Sequence, residues 1–92
     1  MTDPVSQLDT LLEILVRMGV DVRKERLAGS GGGLCTIRGR HVVFVDQDID
    51  VATQLDHTLT ALASLPDADT VYLIPELRER LDRLEAADRG QS

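Results

Sequence analysis

The 92-residue chain is poor in aromatic side chains, which make up 2% of it: Phe44 and Tyr72 are present and tryptophan is absent. The core must therefore be built from leucine, valine, isoleucine and alanine. Few rings are left for stacking on nucleobases, a usual means of holding single-stranded nucleic acid. The net charge of −6 also repels phosphate backbones and anionic lipids. These features disfavour a nucleic-acid or membrane partner.

Cysteine is almost as scarce, since Cys35 stands alone and an intramolecular disulfide is excluded. Small secreted domains usually need such cross-links. No apolar run approaches the roughly 20 residues that span a bilayer, and the start, Met-Thr-Asp-Pro, lacks the basic segment of a signal peptide. We expect a cytoplasmic protein.

Length and composition predict one small domain over residues 1–92, with an ordered core over 3–87 and a frayed tail over 88–92. Asp3-Pro4 predicts a helix start, and Gly19 predicts its left-handed end near Met18. Leucines recur between them at helical spacing. The charged segment 20–26 is typical of an edge strand.

Segments 34–38 and 41–46 predict a β-hairpin with Gly39-Arg40 as a two-residue type II′ turn. In that register Ile37 pairs with Val42 and Cys35 with Phe44, so these four side chains share one face of the sheet. We expect helices to cover that face. Because the other face is apolar as well, either helices cover both or one face meets a partner.

A second helix is expected from Asp48 or Asp50 to about Ser64, a short strand over 70–74, and a third helix from Pro75. The resulting order is α-β-β-β-α-β-α. It indicates an α+β fold with a mixed or antiparallel sheet of three or four strands and helices mainly on one face.

The run Gly29-Ser30-Gly31-Gly32-Gly33 has the composition of a phosphate-binding loop but not its context, because a strand follows it where such loops require a helix. A mobile connector is the simpler interpretation. The surrounding segment 17–41 nevertheless holds six basic residues against two acidic ones. We therefore predict a basic rim and a small-anion or partner site from these residues: Arg23, Lys24, Arg26, Gly31, Gly32, Gly33, Arg38 and Arg40.

Cys35 and His41 are the weak candidates for a catalytic pair, since a thiol nucleophile needs a base beside it. The predicted hairpin places His41 near the turn and on the opposite face from Cys35. A buried cysteine beside Phe44 would behave as an inert hydrophobic residue. We lean towards a protein without catalytic activity.

Alternating carboxylates at Asp46, Asp48 and Asp50 suggest a metal, but a calcium loop starting at Asp46 would need glycine at position 51 and glutamate at position 57. The sequence has Val51 and His57 there. Helix capping and the helix dipole explain the carboxylates. His57 has no second histidine one turn away and is interpreted as a solvated helix residue. We predict neither metal nor cofactor.

The stretch 38–46, Arg-Gly-Arg-His-Val-Val-Phe-Val-Asp, with the helix through Leu55 and Leu59, resembles the hairpin and active helix of zincin-like metallopeptidases of the ImmA/IrrE type. Where that family carries His-Glu-x-x-His, this sequence has residues 60–64, without a ligand or a general base. The resemblance covers about a third of the chain and implies an α+β scaffold without the metal chemistry. The chain also resembles short bacterial proteins of unassigned function that carry a Gly-Gly-Gly-Leu-Cys stretch.

Two classes of function remain open. The favoured one is a small non-catalytic interaction or regulatory module that binds a protein partner or associates with itself, for example as a homodimer. The alternative is a minimal enzyme or anion-binding protein that uses Cys35 and the glycine-rich loop.

Overall fold

The structure, a computed structural model, describes residues 3–90. Positions 91 and 92 of the predicted frayed tail lie outside the described residues, and the third helix continues to Gly90. The elements are helices α1 (Pro4–Arg17), α2 (Val51–Ala63) and α3 (Pro75–Gly90), strands β1 (Asp21–Glu25), β2 (Gly33–Ile37) and β3 (Arg40–Asp46), and a 3-10 helix, Ala68–Thr70. The predicted α+β class is confirmed, with a three-stranded mixed sheet.

Helix α1 has the predicted ends. Asp3 accepts a hydrogen bond from the Ser6 N–H at 2.8 Å, and proline follows the cap. At the other end Gly19 has φ +84°, and the Val20 N–H donates to the Leu15 carbonyl at 3.0 Å. This is the glycine-terminated end that lets the chain turn into β1.

The sheet has the order β1-β3-β2, with β1 parallel and β2 antiparallel to the central β3. Both β1 and β2 are therefore edge strands, as predicted for the first. Val22 pairs with Val43 on one face, and Arg23 pairs with Phe44 on the other. Glycine-containing connectors join β1 to β2 and β2 to β3.

The predicted hairpin register is wrong by two residues. The turn residues are Arg38 and Gly39, with φ +52° and +80°, and Ile37 pairs with Arg40 while Cys35 pairs with Val42. Positive φ at both positions is what a type I′ turn requires, and this turn matches the twist of the flanking strands. A shift of two residues leaves each side chain on its predicted face.

The expectation that helices cover the face of Cys35, Ile37, Val42 and Phe44 is also wrong. Val43 and Val45 on the opposite face join the core, with Leu34 and Val22 packed against it. The core leucines come from the helices and their connections: Leu8, Leu11, Leu12, Leu15, Leu55, Leu59, Leu62, Leu65, Leu73, Leu77 and Leu81. On the uncovered face Cys35 and Ile37 are exposed, Phe44 is half-buried and Val42 is buried, although Val42 lies outside the core cluster.

Segment 70–74 does not form the predicted strand. Thr70 ends the 3-10 helix, and the next four residues connect it to α3 outside the sheet. Buried and exposed side chains still alternate here, since Leu73 is buried and Tyr72 is 77% exposed. The burial comes from contact with the helices and needs no strand partner.

Candidate functional site

Two carboxylates fix the glycine-rich loop, residues 26–32, between β1 and β2. Asp46, 1% exposed at the end of β3, accepts N–H groups from Leu27 at 3.1 Å, Gly31 at 3.0 Å and Asp48 at 2.9 Å. Asp48 accepts the Ala28 N–H at 2.8 Å. The loop is thus built around the protein's own anions, which already engage the N–H groups of Leu27, Ala28 and Gly31.

This arrangement decides the ionisation of Asp46. Desolvation by burial raises the pKa of its carboxyl group, but the backbone N–H groups of Gly31, Asp48, Leu27 and Gly29 together lower it below its ordinary value. The carboxylate is therefore charged near neutral pH. It satisfies donors that would otherwise be buried without partners.

Close neighbours and positive φ angles both favour glycine at two loop positions. A Cβ on Gly32 would lie 2.3 Å from the Phe44 carbonyl oxygen, and one on Gly31 would lie 3.0 Å from the His57 ring. The Nδ1–H of His57 also donates to the Gly31 carbonyl oxygen at 2.8 Å. The loop therefore contacts β3 on one side and α2 on the other.

A groove of about 480 Å³ lies between this loop, the start of β2 and α2. Its walls are neutral and mostly small: Ser30, Gly31, Gly32, Gly33, Leu34, His57, Thr60, Ala61 and Ser64. The hydroxyls of Thr60 and Ser64 donate to the Asp56 and Thr60 carbonyls of their own helix. The groove offers shape and apolar contact, and neither lysine nor arginine is among its lining residues.

The outer edge of β2 borders this groove. Because Ile37 and Arg40 flank a two-residue turn, they form a hydrogen-bonded pair, and the alternation continues through Cys35 and Gly33. Leu34 and Thr36 therefore direct their backbone N–H and C=O groups away from β3. In the described part of the sheet no strand pairs with that edge.

The two edges of the sheet differ in charge. β2 reads Gly-Leu-Cys-Thr-Ile and has no ionisable group apart from the thiol. β1 reads Asp-Val-Arg-Lys-Glu and carries four charges. Charged side chains on an edge strand discourage addition of another strand. Only β1 has this protection.

Cys35 and His41 do not meet. Cys35 is exposed on the uncovered face, while His41 pairs with Thr36 and points to the opposite face. The predicted separation of these two side chains is confirmed, and the expected burial of Cys35 is wrong. The Nδ1 atom of His41 is buried without a hydrogen-bond partner among the described residues.

The five basic residues of the predicted rim are spread over the sheet. Arg26 is the first residue of the glycine-rich loop and bonds Asp48 at 3.0 Å, whereas Arg23 bonds Asp21 on the uncovered face. Lys24 lines a second groove beside α1. Arg38 and Arg40 lie at the hairpin turn, at the far end of β2 from the loop. They do not surround it.

Sequence reasoning missed Asp46, Asp48 and His57 as loop ligands. Asp50 alone has the predicted capping role, accepting the Thr53 N–H at 3.1 Å. Their position was the signal that sequence offered, since Asp46 ends the central strand and Asp48 follows it, beside the end of β1 where the glycine-rich loop begins.

Over residues 3–90 no group of three or more histidine, cysteine or acidic side chains is arranged to hold a metal ion. No helix in the same range is long and apolar enough to cross a membrane. Comparisons with protein-family models, curated proteins and solved structures give no match. The site must therefore be interpreted from its own geometry.

Proposed function

We propose that this chain is a non-catalytic interaction module that binds an extended protein segment along the free edge of β2. The observation that carries the proposal is the contrast between the charged edge β1 and the neutral edge β2. A strand that adds to β2 gains the backbone hydrogen bonds of Leu34 and Thr36.

The groove beside β2 supports the same function. It lies on the helix-covered side of the edge, next to Leu34 and Thr60. An added strand points alternate side chains to that side. The small residues on α2 leave room for such side chains, and the loop held by Asp46 forms one end of the groove. Rigid walls reduce the entropy lost on binding.

The alternative, an anion site or minimal enzyme, has less support. The glycine-rich loop directs its Leu27, Ala28 and Gly31 N–H groups at Asp48 and Asp46. An external anion would have to compete with those carboxylates. Cys35 has no base on its own face of β3, because Val42 and Phe44 are its neighbours there.

The test uses a displayed library of random peptides selected on the purified chain. We expect extended sequences that bind the wild type and Thr36→Val but bind Thr36→Pro at least about tenfold more weakly, because proline removes the outward N–H and adds bulk at the edge. Thr36→Val is the matched control, since it keeps the N–H. Peptides that bind all three proteins equally would contradict the proposal.

A further inference from the structure

We propose that the segment that occupies the β2 edge is the β2 strand of a second copy of this chain. The two strands run antiparallel about a two-fold axis at Cys35. This inference rests on the proposed function, because it names the partner of the same edge. Pairing of this kind joins two three-stranded sheets into one sheet of six strands.

The hydrogen-bonding groups of β2 are symmetric about Cys35. Leu34 and Thr36 stand on either side of it with their backbone groups directed outward. In an antiparallel pair centred on Cys35, Leu34 of each copy lies opposite Thr36 of the other. Each such pair exchanges two N–H···O bonds. All the outward groups of the strand are then satisfied by an identical strand.

The charges at the two ends of the sheet favour the same arrangement. The hairpin end carries Arg38 and Arg40. The loop end carries three exposed carboxylates and one guanidinium, namely Glu25, Asp48, Asp50 and Arg26. Antiparallel pairing places the basic end of each copy beside the acidic end of the other. The two-fold axis makes this favourable contact twice.

Antiparallel pairing of two copies through the other edge strand, β1, is unfavourable. A pair of β1 strands centred on Arg23 would set Arg23 against itself and Asp21 against Glu25 of the other copy. Like charges directly opposite each other destabilise a strand pair. The second copy is therefore directed to β2, where residues 33–37 carry no charged side chain.

The first experiment measures self-association by sedimentation velocity across a concentration series. We expect a wild-type dimer, a dimer of equal strength for Thr36→Val, and a Kd raised at least about tenfold for Thr36→Pro, which removes two hydrogen bonds from the symmetric pair. Circular dichroism shows that the proline variant remains folded. Raising the salt concentration should weaken the wild-type dimer, and the double variant Arg38→Glu/Arg40→Glu should weaken it further.

The second experiment tests the register with diamide, which accepts the two electrons and two protons released when two thiols form a disulfide. Opposed residues in a non-hydrogen-bonded pair have Cα atoms about 4.5 Å apart, within the range for a disulfide. We expect rapid cross-linking of wild-type Cys35 and slow cross-linking in Thr36→Pro. In Cys35→Ser/Ile37→Cys the single thiol stays on the same face but lies about 13 Å along the strands from its copy, so it should not cross-link.

The outcomes separate the two proposals. If the chain is monomeric at every concentration and Thr36→Pro still weakens peptide binding, the dimer is overturned and the strand-addition site is supported. A dimer unaffected by Thr36→Pro, or equal cross-linking through positions 35 and 37, would overturn the dimer geometry. Peptide binding that is insensitive to position 36 would overturn the edge site itself.

Discussion

At the scale of single residues, Asp46 is the side chain on which the candidate site depends. It lies at the end of the central strand and accepts N–H groups from Leu27 and Gly31 of the loop and from Asp48 just after the strand. The Gln54 side chain also donates to its carbonyl oxygen at 2.9 Å. The carboxylate therefore fixes the loop that borders β2, and the backbone carbonyl of the same residue links the end of β3 to α2.

The lowered pKa of Asp46 predicts a loss of stability in acid. Because folding lowers this pKa, the stabilisation is fully present above the ordinary carboxyl pKa of about 3.9. It is lost as pH falls below that value and through the lower folded pKa, where the unfolded chain binds the extra proton. Urea denaturation between pH 7 and pH 2 measures the effect. Asp46→Asn should be less stable at pH 7 and should show a flatter profile, and an unchanged slope would contradict this role.

Gly32 provides a second test at this scale. Gly32→Ala places a Cβ 2.3 Å from the Phe44 carbonyl oxygen, whereas Gly29→Ala has nothing within 4 Å, and both positions have positive φ. We expect about 1–2 kcal/mol of destabilisation from the left-handed backbone alone in Gly29→Ala. Gly32→Ala should cost clearly more because strand pairing must shift. Equal urea midpoints for the two variants would refute the close approach.

At the scale of elements, the caps and helical spacings could be predicted from sequence because they are local. Asp3, Gly19 and Asp50 act within a few residues of their own position. The covered face of the hairpin could not be predicted, because both faces are apolar. That choice depends on β1 pairing in parallel with β3, which sets Val22 beside Val43 and Arg23 beside Phe44.

The candidate site was only partly predictable for the same reason. The sequence marked the glycine-rich loop, but its ligands come from a strand more than ten residues further on and from α2. The strand prediction for residues 70–74 failed for a different reason. The composition of this segment favours a strand, but the segment does not lie beside either edge of the sheet and so has no strand to pair with. The local preference agrees with the extended backbone at Val71, but it could not supply a pairing partner.

The observed turn predicts a stabilising substitution. Arg38 has φ +52°, a conformation that costs most side chains energy and that asparagine tolerates. Asn-Gly is a preferred pair for type I′ turns. We expect Arg38→Asn to raise the free energy of unfolding by about 0.5–1 kcal/mol, measured by urea denaturation. Arg38→Val, which adds a β-branched side chain at the same angle, should lower it.

At the scale of the whole molecule, the fold is asymmetric in a way that composition does not reveal. Helices cover one face of the sheet, the opposite face is open, one edge is charged, and the other edge is neutral. A net charge of −6 opposes non-specific association. Self-association then depends on a surface that is locally neutral or that carries complementary charges. Strand β2 is neutral, and the two ends of the sheet beside it carry opposite charges.

The parallel placement of β1 also has a kinetic consequence. The β2–β3 hairpin closes through a two-residue turn, whereas each β1 residue pairs with a position 21 residues later in the chain, as Asp21 does with Val42. Longer loops are slower to close. We expect the hairpin to form first and β1, with α1 attached through Val20, to join it later.

Pulse-labelling hydrogen exchange during refolding should therefore protect the hairpin amides before those of β1, and simultaneous protection would contradict this order. Until β1 docks, one edge of β3 has no strand paired with it. Misassociation during refolding should therefore occur through β3, a strand that is paired along both edges in the finished fold.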